Sequence, residues 1–395
     1  RASVHLTYTL KLGANAATSA ACEGEQSSYW PYLSAGADHV MQFTNVDDPN
    51  YFHKVVDCQW ACPAHTPVPE YIRLIAEERY SEAYMLNWDS NVFPGVLGRT
   101  CDRPCEPACR RVLTEEKPVA ICRLKRVAAD NKGDVSPYMP VVPTVKNGKR
   151  IALIGAGPAS LAVARDLLPF GYEVHLFEKD SRAGGFMRSQ IPAFRLPEAV
   201  LDEEVERILD MGVVCHFGQE IGSMKALMEQ DFDAYFVGTG APRGRDLELW
   251  GRQAVDDYIH IGIDWLSSVA FGHITEITGK VIVMGGGNTA MDCCRTSLRL
   301  GAESVKVVVR SAFEVMKASE WEKEDAMREG IPIINNRPPK EFVHEQGKLK
   351  GVLFECVAPV RGEDGRLRYE PTGEPDEFIA ADHVLMAIGQ DNHCP

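Results

Sequence analysis

Two stretches of this sequence, 150–178 and 280–310, follow one plan: an apolar strand, a glycine-rich turn, a helix and a second strand. Strand–helix alternation with a glycine turn at the first crossing is typical of doubly wound α/β folds that hold dinucleotides. The sequence therefore predicts an α/β protein with two Rossmann-like domains, around which the other segments must be arranged.

The first turn has the spacing Gly155-x-Gly157-x-x-Ser160. Gly155 permits the tight turn, and Gly157 lets a pyrophosphate approach the helix N-terminus, where free N–H groups favour an anion. Ser160 is small enough to keep helix and strand close. The second strand ends at Glu178, at the distance expected of a carboxylate that binds ribose hydroxyls. The alternative is a glycine turn without a ligand.

The second turn has the spacing Gly285-x-Gly287-x-x-Ala290, and its second strand ends at Arg310 where the first unit has Glu178. A carboxylate there would repel a 2′-phosphate, whereas a guanidinium can bind one bidentately. The pattern favours NADP(H) over NAD(H). The alternative is that Arg310 is a surface cation and that specificity lies elsewhere.

Two dinucleotide folds in one chain suggest a flavin and a nicotinamide. Hydride passage between stacked rings needs little side-chain acid–base chemistry, so the sequence predicts no catalytic dyad. Cys293 and Cys294 are adjacent on the second helix and point to different faces. We therefore expect core residues there and not a redox pair.

Six of the twelve cysteines fall between residues 58 and 122. A secreted disulfide scaffold would be short and poor in core, but this chain has long apolar periodic segments. A cysteine followed by proline, as at Cys62–Pro63, is typical of ferredoxin-type clusters, whereas structural zinc sites more often show paired C-x2-C. An iron–sulfur site is favoured over zinc or plain thiols. The candidate ligands are Cys58, Cys62, Cys101, Cys105, Cys109 and Cys122.

The net charge of −14 argues against a nucleic-acid surface, and no apolar run approaches the roughly 20 residues of a membrane span. No signal-peptide pattern occurs in residues 1–30, so we expect a cytoplasmic location. The predicted divisions are 1–52 without assigned role, 53–135 helical and cysteine-rich, 136–149 linker, 150–250 first dinucleotide domain, 251–389 second dinucleotide domain, and 390–395 the start of a return to the first.

In these motifs and their order, the chain resembles the small (β) subunit of NADPH-dependent glutamate synthase. It is equally similar to the flavin-containing N-terminal half of dihydropyrimidine dehydrogenase and to the large subunit of NADH-dependent ferredoxin:NADP transhydrogenase. The match extends from about Cys58 to Gly389 over the stretches "CP" at 62–63, "GRTCDRPCEPAC", "GAGPAS", "FEKDSRAGG", "IPAFRLP", "GGGNTAMD" and "AIGQ".

The resemblance implies FAD, a nicotinamide nucleotide and [4Fe–4S] clusters. It implies a helical iron–sulfur domain, then an FAD domain with an inserted NAD(P) domain, and a C-terminal FAD segment that is missing here. The implied FAD residues are Gly155, Gly157, Pro158, Ala159, Ser160, Glu178, Lys179, Gly185, Arg195 and Ile221. The implied NADP(H) residues are Gly285, Gly287, Asn288, Thr289, Ala290, Arg310, Lys317, Ala387 and Gly389.

The resemblance also divides the cysteines. Cys62, Cys101 and Cys105 match one family cluster, whose fourth ligand can be Gln or Glu in relatives. Here the corresponding residue is Lys125, and Cys122, one helical turn away, could supply the ligand instead.

Cys58 and Cys109 match a second cluster. Two-cluster relatives have an upstream C-x2-C, but here His53 takes one of those positions and no cysteine takes the other. Cys58 and Cys109 either bind a cluster with unusual ligands or are vestigial.

The implied function is electron transfer between NAD(P)H and a partner subunit or ferredoxin within a hetero-oligomeric redox complex, through FAD and an iron–sulfur cluster. One alternative is the glutamate synthase small subunit proper. An alternative of another class is a non-catalytic assembly subunit that has lost FAD.

Overall fold

The computed structural model describes residues 56–362 and 367–393. The predicted segment 1–52, His53 and the last two residues lie outside this description. The described chain begins with a helical domain, in which prolines in the first turn of two helices suit positions that need no N–H donor. Its helices are α1 (Asp57–Ala61), α2 (Val68–Ala76), α3 (Tyr80–Asn91), α4 (Pro94–Thr100), α5 (Val112–Glu115) and α6 (Ile121–Asn131).

The helical domain has its own core between α2, α3 and α6. Tyr71 is fully buried there, and its hydroxyl donates to the carbonyl oxygen of Ile121 at 3.0 Å. A 3-10 turn at Ser136–Tyr138 follows α6. The stretch from there to residue 149 contains no further regular element, in keeping with its three prolines.

The first dinucleotide domain is a parallel sheet in the order β3-β2-β1-β4, with β1 paired to β2 on one side and to β4 on the other. Ligands of such sheets bind where the strand order reverses, at the carboxyl ends of the strands. Its elements are β1 (Arg150–Ile154), α7 (Pro158–Leu167), β2 (Glu173–Glu178), α8 (Phe186–Ser189), α9 (Glu198–Leu209), β3 (Val214–Phe217), α10 (Met224–Leu227) and β4 (Ala234–Val237).

The second dinucleotide domain has a five-stranded parallel sheet in the order β6-β15-β7-β8-β9. Cys293 and Cys294 are fully buried in its core, which confirms the prediction that they are core residues. The elements are β6 (Ile259–Ile261), α11 (Gly262–Ala270), β7 (Lys280–Met284), α12 (Asn288–Arg299), β8 (Ser304–Val308), α13 (Glu320–Arg328), β9 (Ile333–Ile334) and β15 (His383–Met386).

Two smaller antiparallel units lie between β9 and β15. A three-stranded sheet runs in the order β10-β11-β14, and a two-stranded ribbon pairs β12 with β13. These strands are β10 (Pro339–Glu345), β11 (Lys348–Phe354), β12 (Val357–Arg361), β13 (Leu367–Pro371) and β14 (Glu377–Ala380).

The chain crosses between the two dinucleotide domains twice. It leaves the first at β5 (Arg243–Gly244) and returns at β16 (Gln390–Asp391), and these strands pair antiparallel. Arg245 and Asp391 add an exposed ion pair beside them. The predicted α/β class, with a helical domain followed by two Rossmann-like domains, is confirmed; the residue boundaries of the domains stay predictions.

Candidate functional site

The first glycine turn leaves one face open. Gly155 has φ +88°, and a Cβ there would lie 2.7 Å from the carbonyl oxygen of Gly238, so only glycine fits. Gly185, at φ +52°, packs equally close against Gly157. A Cβ on Gly157 would meet nothing nearer than 3.9 Å. Since α7 begins at Pro158, this open face lies at free helix N–H groups and fits a phosphate.

Ser160 and Glu178 stabilise the first glycine turn. Ser160 is fully buried, and a Cβ on Gly238 would lie 2.2 Å from its Oγ, so the small side chain lets helix and sheet approach. The Glu178 carboxylate accepts from the N–H of Ala156 at 2.6 Å and of Asp180 at 3.0 Å. These bonds hold it at the end of β2, where a ribose role remains a prediction.

The other residues implied for the flavin lie in three different places. Lys179 is exposed just after β2. Ile221 packs against a small apolar cluster that includes Phe177. Arg195 is bound to Asp292 of the second domain, so its guanidinium faces the domain junction.

An ionic network at this junction joins the two dinucleotide domains. Arg195 Nη1 lies 2.7 Å from both carboxylate oxygens of Asp292, and Arg195 Nη2 lies 2.9 Å from Glu322. Arg295 Nη1 reaches Glu322 at 2.9 Å. Burial raises the pKa of Asp292 to about 6, and Arg195 limits that rise. The network fixes the orientation of α12 relative to the first domain.

In the second glycine turn, as in the first, one glycine is required by its backbone conformation and another leaves an open face. Gly285 has φ +140°, and a Cβ there would lie 2.1 Å from the carbonyl oxygen of Ala387. Gly287 caps α12, and a Cβ on it would meet no atom within 4 Å. Ala290 is fully buried against the sheet. Gly389, at φ +134°, turns the chain from the strand end into β16.

Two cations predicted for the 2′-phosphate follow β8. Arg310 and Lys317 are both exposed, and within the described ranges neither forms a hydrogen bond or ion pair. Their charges are therefore available to an anion. Thr289, in the first turn of α12, is half-buried.

The cysteine-rich domain contacts the start of α12 directly. Asp102 Oδ1 accepts from Ser319 Oγ at 2.9 Å and from Asn288 Nδ2 at 3.3 Å. The Arg103 guanidinium lies 4.2 Å from the ring centroid of Trp321. The loop between two predicted cluster ligands therefore touches the helix that is predicted to bind the nucleotide phosphates.

Cys58 and Cys109 lie near each other. Burial raises the pKa of Cys58, and the proximity of Cys109 raises it further. An ion pair between Arg110 and Asp57 joins the Cys109 segment to α1. The division of the cysteines between two clusters, which the family resemblance implies, stays a prediction.

Cys62, Cys101, Cys105 and Cys122, the four cysteines that the resemblance suggests for one cluster, are called the Cys62 group, and the charge of Lys125 acts on Cys62, Cys105 and Cys122. Burial raises the pKa of Cys105 to about 12, Cys101 adds to the rise and Lys125 opposes it. Burial also raises the pKa of Cys122, with Cys101 again adding to the rise. All four sulfurs are free thiols.

Two of these thiols are held by local hydrogen bonds. The N–H of Arg103 donates to Cys101 Sγ at 3.3 Å, and Cys122 Sγ donates to the carbonyl oxygens of Leu97 and Gly98, both at 3.4 Å. Cys122 therefore faces the end of α4, next to Cys101.

Among residues 56–362 and 367–393, no three His, Cys, Asp or Glu side chains converge on the position of a single metal ion. The ligands of a [4Fe–4S] cluster surround a larger body of iron and sulfide and are typically cysteine thiolates. The Cys62 group, with four free thiols and a lysine whose charge acts on three of them, fits such an anionic cluster in chemistry.

An apolar cleft of about 370 Å³ lies between the helical domain and the first glycine turn. Thr100, which immediately precedes Cys101, lines one side of it. Pro158, Ala159 and Phe186 line the other. The predicted FAD turn and α4, the helix that leads to Cys101, thus share one apolar space.

Several side chains that build these contacts were not predicted from the sequence. For Asp102 and Asp292 the sequence offered one signal, which is their position inside the quoted motifs. Asp102 follows Cys101, and Asp292 follows the second glycine turn. For Glu204 the sequence signal is stronger, because this residue is a carboxylate on the buried face of α9 between Leu201 and Ile208.

Two family models match the chain. Residues 52–136 match dihydropyrimidine dehydrogenase domain II, 4Fe–4S cluster, and residues 149–394 match pyridine nucleotide-disulphide oxidoreductase. These matches confirm the prediction of an NAD(P)H-dependent oxidoreductase, and they support FAD, NADP(H) and an iron–sulfur cluster as its cofactors. Within the part of the chain described here, no helix has the length and apolar character that crossing a membrane requires.

Curated relatives are similar over most of the chain. The NADPH-Fe(3+) oxidoreductase subunit beta of Geobacter sulfurreducens is 35% identical over 95% of this chain and 58% of its own length. The NADP(+)-dependent formate dehydrogenase subunit beta of Moorella thermoacetica is 35% identical over 84% of this chain and 50% of its own length. The chain thus spans little more than half of these two relatives.

The glutamate synthase [NADPH] small chain of Azospirillum brasilense is 35% identical over 84% of this chain and 72% of its own length. Among solved structures, FprA of Mycobacterium tuberculosis shares the fold, with a TM-score of 0.52 and 17% identity over 61% of this chain and 71% of that one. The predicted resemblance to the glutamate synthase small subunit is confirmed. The chain belongs to the pyridine nucleotide-disulphide oxidoreductase family, in the group that contains the glutamate synthase small chains.

Proposed function

We propose that this chain is the electron-transfer subunit of a larger NADPH-dependent redox enzyme. When bound, FAD would accept a hydride from NADPH and release the electrons singly to an iron–sulfur cluster. The observation that supports this most is the apolar cleft, because Thr100, next to Cys101, and Pro158, at the first glycine turn, line the same space.

The chain's own residues bind and orient in this scheme. Gly157 and Gly287 leave the two turns open to phosphates, and Arg195 with Asp292 holds the second domain against the first. The lining of the cleft is almost entirely apolar, so it attracts water weakly. An apolar space between two redox groups suits electron transfer without proton exchange.

The partner is proposed to be another protein chain, since the relatives are named as β subunits or small chains. Glutamate synthase is the second candidate, favoured by the coverage of its small chain. The proposed location is the cytoplasm, where clustered thiols stay reduced. Proteins that co-purify with the full chain separate these candidates.

The cofactor assignment is tested by single substitutions in the full protein, purified without oxygen. Cys101→Ala is expected to lose most iron and sulfide while keeping flavin, because its sulfur lies in the Cys62 group. Gly157→Val is expected to lose flavin while keeping iron, because the side chain fills the open face of the turn. Cys356→Ala, at a buried cysteine of the second domain, is the matched control and should keep both.

Iron and sulfide analysis with visible absorption measures these outcomes. A colourless wild-type protein would contradict the proposal and favour an assembly subunit that has lost FAD. Iron retained fully in Cys101→Ala would remove Cys101 from the cluster.

Nucleotide choice is expected to depend on Arg310. Arg310→Glu should weaken NADPH binding by about 10- to 100-fold, since a charge-assisted pair with the 2′-phosphate is lost and repulsion replaces it. NADH binding should change little. Titration of the bound flavin's absorption with each nucleotide measures both affinities. Arg361→Glu, at another exposed arginine of the same domain, is the control; equal losses with both nucleotides in Arg310→Glu would refute this role.

A further inference from the structure

Lys125 is a buried cation on α6. Only 6% of its surface is exposed. It shares the buried face of the helix with Ile121, Cys122 and Ala128, and it does not extend to solvent as lysine usually does. Its burial places nearly all of this side chain inside the helical domain.

No described residue neutralises this charge. Across residues 56–362 and 367–393, Lys125 forms neither a hydrogen bond nor an ion pair. Glu106 lies close to the thiols, and its carboxylate accepts from the N–H of Cys122 at 3.0 Å. An unpaired buried ammonium costs several kcal/mol, so a fold that keeps one needs an anion beside it.

Lys125 lies on the same buried face of α6 as Cys122, one helical turn further along. Its positive charge acts to lower the pKa of Cys62, Cys105 and Cys122. For Cys62, burial raises the pKa, but hydrogen bonds with Thr66 and Ala64, and then the charge of Lys125, together outweigh that effect. The cation therefore favours the thiolate form in the group that fits a cluster.

We propose that Lys125 is the internal counter-charge of the cluster held by the Cys62 group and that it raises the reduction potential of this cluster. The inference rests on the proposed function. Reduction adds one electron and no proton to the cluster, so the reduced state carries one more negative charge. A fixed cation in a poorly screened interior stabilises that state more than the oxidised one. Lys125 then makes the cluster a better acceptor of electrons from the flavin.

The test is a redox titration of the full wild-type protein and of variants, followed by the EPR signal of the reduced cluster. Lys125→Met and Lys125→Gln are expected to lower the equilibrium constant for reduction at least tenfold, which is about 59 mV for a one-electron couple. Lys125→Arg keeps the charge and should stay near wild type. Lys117→Met, at an exposed lysine of the same domain, is the matched control.

The outcomes separate this role from the proposed function. Unchanged potentials in both neutral variants, with iron content intact, overturn the role of Lys125 alone. Loss of iron from both neutral variants but not from Lys125→Arg supports the counter-charge, because the charge is then needed to hold the cluster. Loss from all three overturns it, because shape and not charge then matters. A wild-type protein without iron overturns the proposed function, and the role of Lys125 with it.

Discussion

Alanine in place of Gly285 is expected to lower the free energy of unfolding by about 2–6 kcal/mol and to abolish NADPH binding. Its φ of +140° disfavours any side chain, and a Cβ there would lie 2.1 Å from the backbone oxygen of Ala387. Backbone strain of this kind costs about 1–3 kcal/mol, and overpacking adds about 1–3 kcal/mol. Because backbone cannot rotate away, the end of β15 must shift. Urea unfolding measures the loss.

Gly287 provides the matched control two residues later. Its φ is −102°, and a Cβ would meet no atom within 4 Å, so Gly287→Ala should cost at most about 1 kcal/mol, the usual difference at a helix cap. The methyl group would nevertheless stand where a phosphate approaches, so NADPH affinity should fall. A Gly285→Ala protein as stable as wild type would show that the Ala387 segment can shift at little cost in free energy. A Gly287→Ala protein that binds NADPH normally would show that phosphate lies elsewhere.

The two glycine turns could be predicted because the property that they require is local. Gly155 and Gly285 need positive φ, and the short spacing to Ser160 and Ala290 reflects a helix that must pass close to its strand. A few adjacent residues carry all of this information. The parallel sheet then follows from the strand–helix–strand order.

The contacts between domains could not be predicted in the same way. Arg195 meets Asp292 across 97 positions of sequence, and Asp102 meets Ser319 across 217. Hydrophobic periodicity and motif spacing in the sequence do not indicate which distant residues form such pairs. The motif containing Arg195 suggested a place beside the flavin, whereas the structure gives its guanidinium two carboxylates at the domain junction.

The cysteine site could be predicted only in part from the sequence. The count of cysteines and the Cys62–Pro63 pair indicated a cluster from the sequence, and their division between two clusters is a prediction of the resemblance alone. The role of Lys125 was hidden, because burial of a single lysine on α6 depends on the packing of α2, α3 and α4 around it. The sequence shows that Lys125 follows Cys122 by three residues, but it does not show that the lysine side chain lacks a partner.

Removal of the Glu204 carboxyl group is expected to lower the free energy of unfolding by about 3–5 kcal/mol, because three buried donors lose their acceptor. Glu204 lies on α9 but caps α4, because its oxygens accept from the N–H groups of Gly95 at 2.7 Å and Val96 at 3.0 Å and from the Tyr84 hydroxyl at 3.0 Å. Glu204→Ala leaves these donors buried without an acceptor. It also loosens α4 against the first dinucleotide domain, where the apolar cleft lies.

Glu206→Ala is the matched control on the exposed face of α9 and should change the free energy of unfolding by no more than about 0.5 kcal/mol. Urea unfolding of both variants measures the difference. If Glu204→Ala were as stable as its control, the α4 donors would have found water, and the carboxylate would not hold the two domains together.

The pH dependence of stability gives an independent test of the same carboxyl group. Burial raises the pKa of Glu204 from 4.5 to about 7 in the folded chain, and its hydrogen-bond donors and Lys132 limit the rise. Between pH 4.5 and 7 the unfolded chain has released this proton and the folded chain has not, so stability falls as the pH rises, by about 1.4 kcal/mol per unit. Relative to Glu204→Gln, which cannot ionise, the wild-type free energy of unfolding should therefore fall by about 3 kcal/mol across that window and level off above pH 7. A difference between the two proteins that stays constant from pH 4.5 to 8 would mean that Glu204 is ionised throughout, held so by the α4 donors.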